Sequence, residues 1–156
     1  MARWVEHYST LYFVETPVNP ELYDKIPKYT SMYELDDEPT EHELSEAING
    51  LTSGKAPGND KIPTEAIKEN KDVLLPHLHK LLIRCWRDGK VPYDMLDSSI
   101  VALFKNKGDK GDCNNYRGIS LLSVTGKAFA RVILKRLQRL AERILPESQC
   151  GFRAGG

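Results

Sequence analysis

Long apolar runs and paired cysteines are both missing from this sequence. No apolar run approaches the roughly 20 residues that a bilayer-spanning helix needs, and the first residues, MARWVEHYSTLY, lack the apolar centre of a secretion signal. The cysteines Cys85, Cys113 and Cys150 are far apart and form no C-x-x-C pair, which argues against a disulfide framework and against a zinc site. These absences predict an intracellular protein, nuclear or cytoplasmic, with no membrane partner.

The motifs of common enzymes are missing too. The sequence has no Gly-x-Ser-x-Gly word, so a hydrolase has little support. The stretch Gly50–Ala56 is one residue too short for a phosphate-binding P-loop, and Ala56 replaces the Ser or Thr that would bind magnesium. His77 and His79 lie two positions apart on a predicted helix and therefore point to different faces. We predict no catalytic residue and no metal site in this sequence.

The composition predicts one soluble domain with an uneven distribution of charge. The chain has 156 residues, 40% of them apolar, which is enough for a hydrophobic core. Residues 1–98 hold 11 Lys and Arg against 18 Asp and Glu, giving −7, and residues 99–156 hold 11 against 4, giving +7. A net charge of zero therefore hides a positive second part that suits an anionic partner.

The stretch Ser98–Leu122 is predicted to form an open hairpin. Ile100–Phe104 has the pattern of a buried strand, and Ile119–Leu122 is a second apolar run that would return along it. The connecting loop carries Asp109 and Asp112, which we expect to be too flexible for a metal pair. Lysines bind phosphates as point charges and an arginine can bind two phosphate oxygens at once. The residues alone fit either a solvated loop or a phosphate clamp made by Lys105, Lys107, Lys110 and Arg117.

Helical spacing and end signals predict five helices, with a proline-containing connector at 15–39. Thr40 and Glu43 form a capping box that begins the second helix, and Pro63 suits the first turn of the third. Asp72 is the predicted cap of the fourth, in which Pro76 would lie in the first turn, and Gly89 follows its last residue. The predicted spans are 2–12, 41 to about 52, 64–70, 72–88 and 125–145.

The longest predicted helix has an apolar face and a row of cations. We expect its apolar face to be buried; it consists of Phe129, Val132, Ile133, Leu137, Leu140, Ala141 and Ile144. The cations recur every fourth residue, at Lys127, Arg131, Lys135, Arg139 and Arg143. Arg136 lies beside this basic row, and Glu142 is its one acidic neighbour along the helix. The pattern fits either a solvated basic face or a surface that follows a nucleic-acid backbone.

Three groups of sequence motifs, which occur in the same order as in a known family, carry a resemblance to that family. The first is residues 54–63, GKAPGNDKIP, and the second comprises KGD at 107–109, NYRGISLLS at 115–123 and GK at 126–127. The third is residues 145–153, LPESQCGFR. Together they resemble the fingers region of non-LTR (LINE-type) retrotransposon reverse transcriptases, and a looser likeness reaches back to residues 3–8.

The resemblance implies a particular fold, and it implies that this fold is incomplete. We expect an α+β, mostly helical chain with a small antiparallel hairpin, forming the fingers and the start of the palm of a right-hand polymerase. Residues 1–39 would be an N-terminal helix and connector, and residues 40–156 a partial fingers region. The family's metal-binding aspartates lie downstream of the Gly-Phe-Arg word and do not occur here. Apolar surface near Ile119–Leu122 and Phe152 should therefore be exposed.

The resemblance also implies partners and site residues. The full-length enzyme is an RNA-directed DNA polymerase that uses Mg²⁺, an RNA template, a DNA primer and dNTP, and this chain would bind no metal and lack the palm and thumb. Arg117, with Lys105 or Lys107, would bind the dNTP triphosphate. The nucleic-acid backbone would be bound by Lys55, Lys110, Lys127, Arg131, Lys135, Arg139, Arg143 and Arg153. The alternatives are a non-catalytic nucleic-acid-binding remnant and a helical protein-interaction domain.

Overall fold

The computed structural model describes residues 2–13, 17, 19–21 and 30–144. Within these ranges it contains six α-helices and two strands, and the chain divides into two compact units. The hairpin unit is Met1–Ser31 with Ala102–Gly118, and the helical unit is Met32–Val101 with Ile119–Gly156. The elements are α1 (Ala2–Tyr12), α2 (Glu41–Asn49), α3 (Thr64–Glu69), α4 (Lys71–Asp88), α5 (Tyr93–Leu96), β1 (Ser99–Phe104), β2 (Tyr116–Leu121) and α6 (Val124–Ile144).

The strands β1 and β2 pair as a two-stranded antiparallel sheet, so the prediction of a mostly helical chain with a small hairpin is confirmed. The prediction of a buried strand is wrong. Ile100 is 42%, Val101 46% and Leu103 54% exposed, because a two-stranded sheet cannot cover its own faces. The expected exposure of the returning strand is found at Ile119, which is 43% exposed. Phe152 lies outside the described residues.

The core of the helical unit lies where α2 packs against α4 and α6. Leu44, Ala47 and Ile48 recur at helical spacing on α2 and are completely buried. The predicted capping box begins this helix: the Glu43 amide donates to Thr40 Oγ1 at 3.2 Å, and the Thr40 amide donates to Glu43 Oε2 at 2.8 Å. The helix ends at Asn49 and is therefore shorter than predicted.

The helix α4 ends as predicted but begins differently. Gly89 follows Asp88 with a φ of 61°, in the left-handed conformation that favours glycine. At the other end the cap position is occupied by Asn70, and the predicted cap Asp72 lies in the first turn. Pro76 consequently lies in the second turn of the helix, two positions further in than predicted.

The first turn of α6 is fixed by a cap and a close contact that the sequence interpretation missed. Ser123 is buried and its Oγ accepts a hydrogen bond from the Gly126 amide at 3.1 Å, so the helix begins at Val124. A Cβ atom on Gly126 would lie 2.6 Å from the Met95 carbonyl oxygen at the end of α5. Glycine is therefore required for α6 to approach α5 this closely.

The predicted apolar face of α6 is buried only in its first half. Phe129 and Val132 are buried, whereas Ile133 is 40%, Leu137 50% and Ile144 38% exposed. The helix has 21 residues and α2 has nine, which correspond to roughly 31 Å and 13 Å at 1.5 Å per residue. A helix as short as α2 cannot cover the whole of α6. No helix in the described part of the chain is both long and apolar enough to cross a membrane.

Candidate nucleic-acid interface

The polar side chains of the hairpin loop make hydrogen bonds within the loop itself. Asp109 Oδ1 accepts from the Gly111 amide at 2.8 Å, and Asp112 Oδ1 accepts from the Asn114 amide at 2.9 Å. This bond from Asn114 is the main cause that lowers the pKa of the Asp112 carboxyl. Both carboxylates therefore act as acceptors for turns of the backbone.

Three residues of the family motifs shape this loop. Asn115 Nδ2 donates to the Asp109 carbonyl at 2.8 Å, and a Cβ atom on Gly108 would lie 2.5 Å from that same Nδ2. Gly108 also has a φ of 82°. The Tyr116 hydroxyl donates to the Lys110 carbonyl at 3.1 Å and closes the far side. The words KGD and NYR thus have a structural role in shaping the tip.

Two of the four predicted cations of the hairpin already have a local partner. Lys105 Nζ donates to the Asn114 carbonyl at 2.8 Å, and Lys110 Nζ lies 5.7 Å from the centre of the Phe104 ring. Lys107 and Arg117 are exposed and make no hydrogen bond or ion pair with any residue that the structure describes. All four belong to the hairpin unit.

In the helical unit, three predicted cations line one cleft. The cleft has a volume of about 410 Å³, and Lys55, Lys127 and Arg131 stand around it with the hydroxyl-bearing residues Thr52 and Thr64. The remaining lining residues are apolar: Leu51, Leu122, Ala130 and Leu134. The sequence pattern put Lys55 in a loop and the other two cations on a helix far along the chain, and the fold brings all three together.

Two glycines position the loop that carries Lys55. Gly54 has a φ of 71°, and its amide donates to the Glu65 carboxylate at the start of α3, which lowers the pKa of that carboxyl. A Cβ atom on Gly58 would lie 2.6 Å from the Ser123 amide nitrogen, so the loop backbone touches the backbone that leads into α6. The glycines of the word GKAPG therefore position Lys55 beside the first turns of α6.

Arg131 is exposed, and its guanidinium lies against Gly50. A Cβ atom on Gly50, which follows the last residue of α2, would lie 2.9 Å from Arg131 Cζ. The guanidinium therefore rests on the glycine at the carboxyl end of α2, where the partial negative charge of the helix dipole favours a cation. Any larger residue at position 50 would displace it.

The remaining cations of the basic row have different neighbours. Lys135 Nζ lies 3.1 Å from Glu46 Oε2, so an acidic residue of α2 joins Glu142 as a neighbour of the row. This bond lowers the pKa of the Glu46 carboxyl. Arg139 and Arg143 are exposed further along α6, and Arg153 lies outside the described residues. Only Lys127 and Arg131 of the row line the cleft.

Arg136, which lies beside the basic row in the sequence, is a buried structural residue. It is 8% exposed, and its Nε and Nη2 donate to Glu43 Oε1 and Oε2 at 2.8 and 2.9 Å. Nη1 donates to the carbonyls of Leu35, at 3.0 Å, and Asp37, and the guanidinium carbon lies 5.2 Å from the centre of the Trp86 ring. The feature of the sequence that indicates burial of Arg136 is its position, four residues after the buried Val132.

This arginine has an electrostatic effect on the capping box. Hydrogen bonds from Arg136, and then those from Thr40, stabilise the Glu43 carboxylate and outweigh the effect of burial. They lower the pKa of Glu43 to about 2. In the part of the chain that the structure describes, no group of three or more His, Cys, Asp or Glu residues could hold a metal ion.

Comparison with known proteins places the chain among retrotransposon proteins, although no protein-family model matches it. It is 32% identical over 142 residues to the uncharacterized 149 kDa protein of transposon TX1 from Xenopus laevis, covering 86% of this chain and 11% of that protein. The RNA-directed DNA polymerase from mobile element jockey of Drosophila funebris is 33% identical over 116 residues, 73% of this chain and 13% of that protein.

A third relative, the probable RNA-directed DNA polymerase from transposon BS of Drosophila melanogaster, is 31% identical over 115 residues, 72% of this chain and 13% of that protein. The chain thus spans between about a tenth and an eighth of the length of these relatives. The matches cover 72 to 86% of this sequence. The chain belongs to the family of non-LTR retrotransposon reverse transcriptases.

Proposed function

We propose that this chain is the fingers region of a non-LTR retrotransposon reverse transcriptase, which binds the template–primer backbone and the triphosphate of the incoming dNTP. The observation that carries the proposal is the cleft around which Lys55, Lys127 and Arg131 converge from two distant parts of the sequence. Three cations around one concave surface are suited to phosphates, and no carboxylate lines the cleft among the described residues.

The backbone-binding role follows from how these cations are held. Gly50 supports the Arg131 guanidinium, and the contact of Gly58 with the start of α6 sets the Lys55 loop in place. Cations whose surroundings already restrict them lose less conformational freedom when they bind a phosphate than cations without neighbours do. The apolar residues between them allow the sugar and base edges of a bound strand to lie against the cleft.

The triphosphate-binding role is assigned to the hairpin tip. Arg117 is exposed without a described partner and can offer its planar donors to two phosphate oxygens. The sequence left Lys105 and Lys107 as alternative companions. Lys107 is the better choice because the Lys105 ammonium already donates to the Asn114 carbonyl.

We propose no magnesium site among the described residues. Asp109 and Asp112 do not fit a metal pair, because each uses a carboxylate oxygen as the acceptor of a backbone turn. The Mg²⁺ of the full-length enzyme would be held by aspartates outside this sequence. We therefore expect no metal-dependent primer extension from the purified chain alone.

The experiment measures binding of a labelled RNA–DNA hybrid by fluorescence anisotropy at several salt concentrations. Replacing all three cations of the cleft with alanine (K55A/K127A/R131A) should weaken binding and reduce the slope of log K against log salt by roughly 2 to 3. A matched control removes three cations of the helical unit that lie outside the cleft: K80A/R84A/K90A. Equal losses in the two variants would contradict the cleft assignment, and no binding at low salt would favour a protein-interaction domain.

A further inference from the structure

The second half of α6 presents four apolar side chains at the spacing of a heptad repeat. Ile133, Leu137, Leu140 and Ile144 follow one another at intervals of four, three and four residues. Alternating steps of three and four keep these side chains on one side of the helix, and this is the spacing by which one helix packs along another. The four residues, here called the α6 seam, are open to solvent: Ile133 is 40%, Leu137 50% and Ile144 38% exposed, and Leu140 is half-buried.

A groove with a volume of about 330 Å³ runs beside the seam. Its polar lining residues are Asp36 and Arg136, and the others are apolar: Met32, Leu35, Trp86, Ile133, Leu137 and Leu140. Three of these belong to the seam, so the seam and the groove form one surface within the helical unit. Because binding energy concentrates where a large side chain enters a pocket, this groove is suited to an apolar anchor of a molecule that lies along the seam.

The charged side chains that flank the seam are positive. With the four seam residues at the a and d positions of a heptad, the charged residues of α6 at the flanking e and g positions are all cations: Lys127, Arg136 and Arg143. Side chains at e and g meet the flanks of a partner helix and set which partner is accepted. The helix as a whole has six Lys and Arg against one Glu, giving +5.

We propose that the α6 seam and its groove dock an acidic amphipathic helix of a partner protein. The apolar face of that helix lies on the seam, a large side chain enters the groove beside Trp86, and carboxylates face the cations at the flanks. A second copy of α6 fits poorly because it brings the same +5 charge, and like charges across an interface are unfavourable. The surface shares no lining residue with the cleft of Lys55, so the proposal goes beyond the proposed function and does not rest on it.

The first measurement uses the tryptophan of the groove as its reporter. The sequence has two tryptophans, Trp4 and Trp86, so W4F leaves only the one in the groove. The probe is a helical peptide as long as α6, with leucine at a and d and glutamate at e and g. It should shift the Trp86 emission to shorter wavelength as water leaves the groove. Binding that is detected by anisotropy of a labelled peptide, without a change in this emission, would place the peptide elsewhere and overturn the proposal.

The charge of the partner is tested with a matched peptide that has lysine at e and g. Because like charges across an interface cost several kcal/mol, the glutamate peptide should bind at least roughly tenfold more tightly than the lysine peptide at low salt. Added salt should reduce the difference, since it screens exposed charges. Equal affinity of the two peptides would contradict an acidic partner.

The second measurement removes two side chains of the seam. L137A/I144A should weaken binding of the glutamate peptide at least roughly tenfold, because two large apolar side chains no longer become buried in the complex. The matched control is V73A/L96A, which shortens two aliphatic residues of the helical unit that are 70% and 56% exposed, and it should bind the peptide as the wild type does. Circular dichroism would establish that each variant keeps its helix content.

The remaining outcomes distinguish the other molecules that could cover this surface. Neither Leu137 nor Ile144 lines the cleft, so L137A/I144A should change RNA–DNA hybrid binding less than twofold. A larger loss of hybrid affinity would assign the seam to nucleic acid and overturn the proposal. Self-association of the wild type that L137A/I144A abolishes, without any binding of the glutamate peptide, would assign the seam to a second copy of the chain and overturn it as well.

Discussion

Replacing Arg136 with alanine should destabilise the helical unit more than any other single loss of charge on α6. The substitution removes two hydrogen bonds to Glu43 and the bonds to the Leu35 and Asp37 carbonyls, and it uncovers the Trp86 ring. Breaking a buried ion pair by removing one partner costs about 3–5 kcal/mol. The Glu43 side chain is 27% exposed and can regain some water, so we expect a loss at the lower end, about 3 kcal/mol.

Urea unfolding followed by tryptophan fluorescence would measure this loss. With a slope of about 2 kcal/mol per molar, a loss of 3 kcal/mol moves the midpoint by roughly 1.5 M. The control is R139A, three residues further along the same helix, where the arginine is exposed and a change within about 0.5 kcal/mol is expected. R136K retains the charge without the fork and should fall between them.

A double-mutant cycle with E43Q would isolate the pair itself. If the two residues stabilise the fold through each other, the loss in R136A/E43Q should be clearly smaller than the sum of the two single losses. The reasoning would be refuted if R136A lay within 1 kcal/mol of R139A, because Arg136 would then be no more structural than a surface cation.

Three further predictions concern stability. Because the pKa of Glu43 is lowered to about 2 from 4.5, its contribution is fully present above pH 4.5 and lost as the pH falls toward 2. Other carboxyls with a lowered pKa titrate in both proteins, so by urea unfolding the wild type should lose roughly 3 kcal/mol more than E43Q over that interval. G58A should cost roughly 1–3 kcal/mol in the same assay because its Cβ meets the Ser123 backbone, whereas G54A, with open space around it, should cost only the strain of its φ of 71°. Y8F should leave the melting temperature unchanged or raise it, since the buried Tyr8 hydroxyl has no hydrogen-bond partner among the described residues; a clear fall would reveal a partner.

Features encoded by neighbouring residues could be predicted from the sequence. The capping box of Thr40 and Glu43 and the left-handed Gly89 after α4 depend on residues at most three or four apart, so their patterns are visible without the fold. Asn70 and Asp72 show the limit of this. Both are good cap residues, and which one begins α4 depends on how α3 leads into it.

Features that join distant residues could not be predicted. Glu43 and Arg136 are 93 residues apart, and Lys135 and Glu46 are 89 apart, so spacing along one helix could not show which cations of α6 are already paired. The same holds for the cleft. The sequence named all three of its cations, but their common location depends on Gly58 meeting the backbone before α6.

The contact made by Gly58 has a consequence for the genomic copies of such an element. Chemistry can be lost by changing one aspartate codon while the protein still folds, so an intact motif of that kind says little about a copy's remaining protein. Position 58 reports on folding instead, because any side chain there would clash with the backbone at Leu122 and Ser123. A copy that has drifted at this codon encodes a loop that no longer seats against α6. A substitution at position 58 therefore weakens the packing of this loop without changing any residue that would take part in the chemistry.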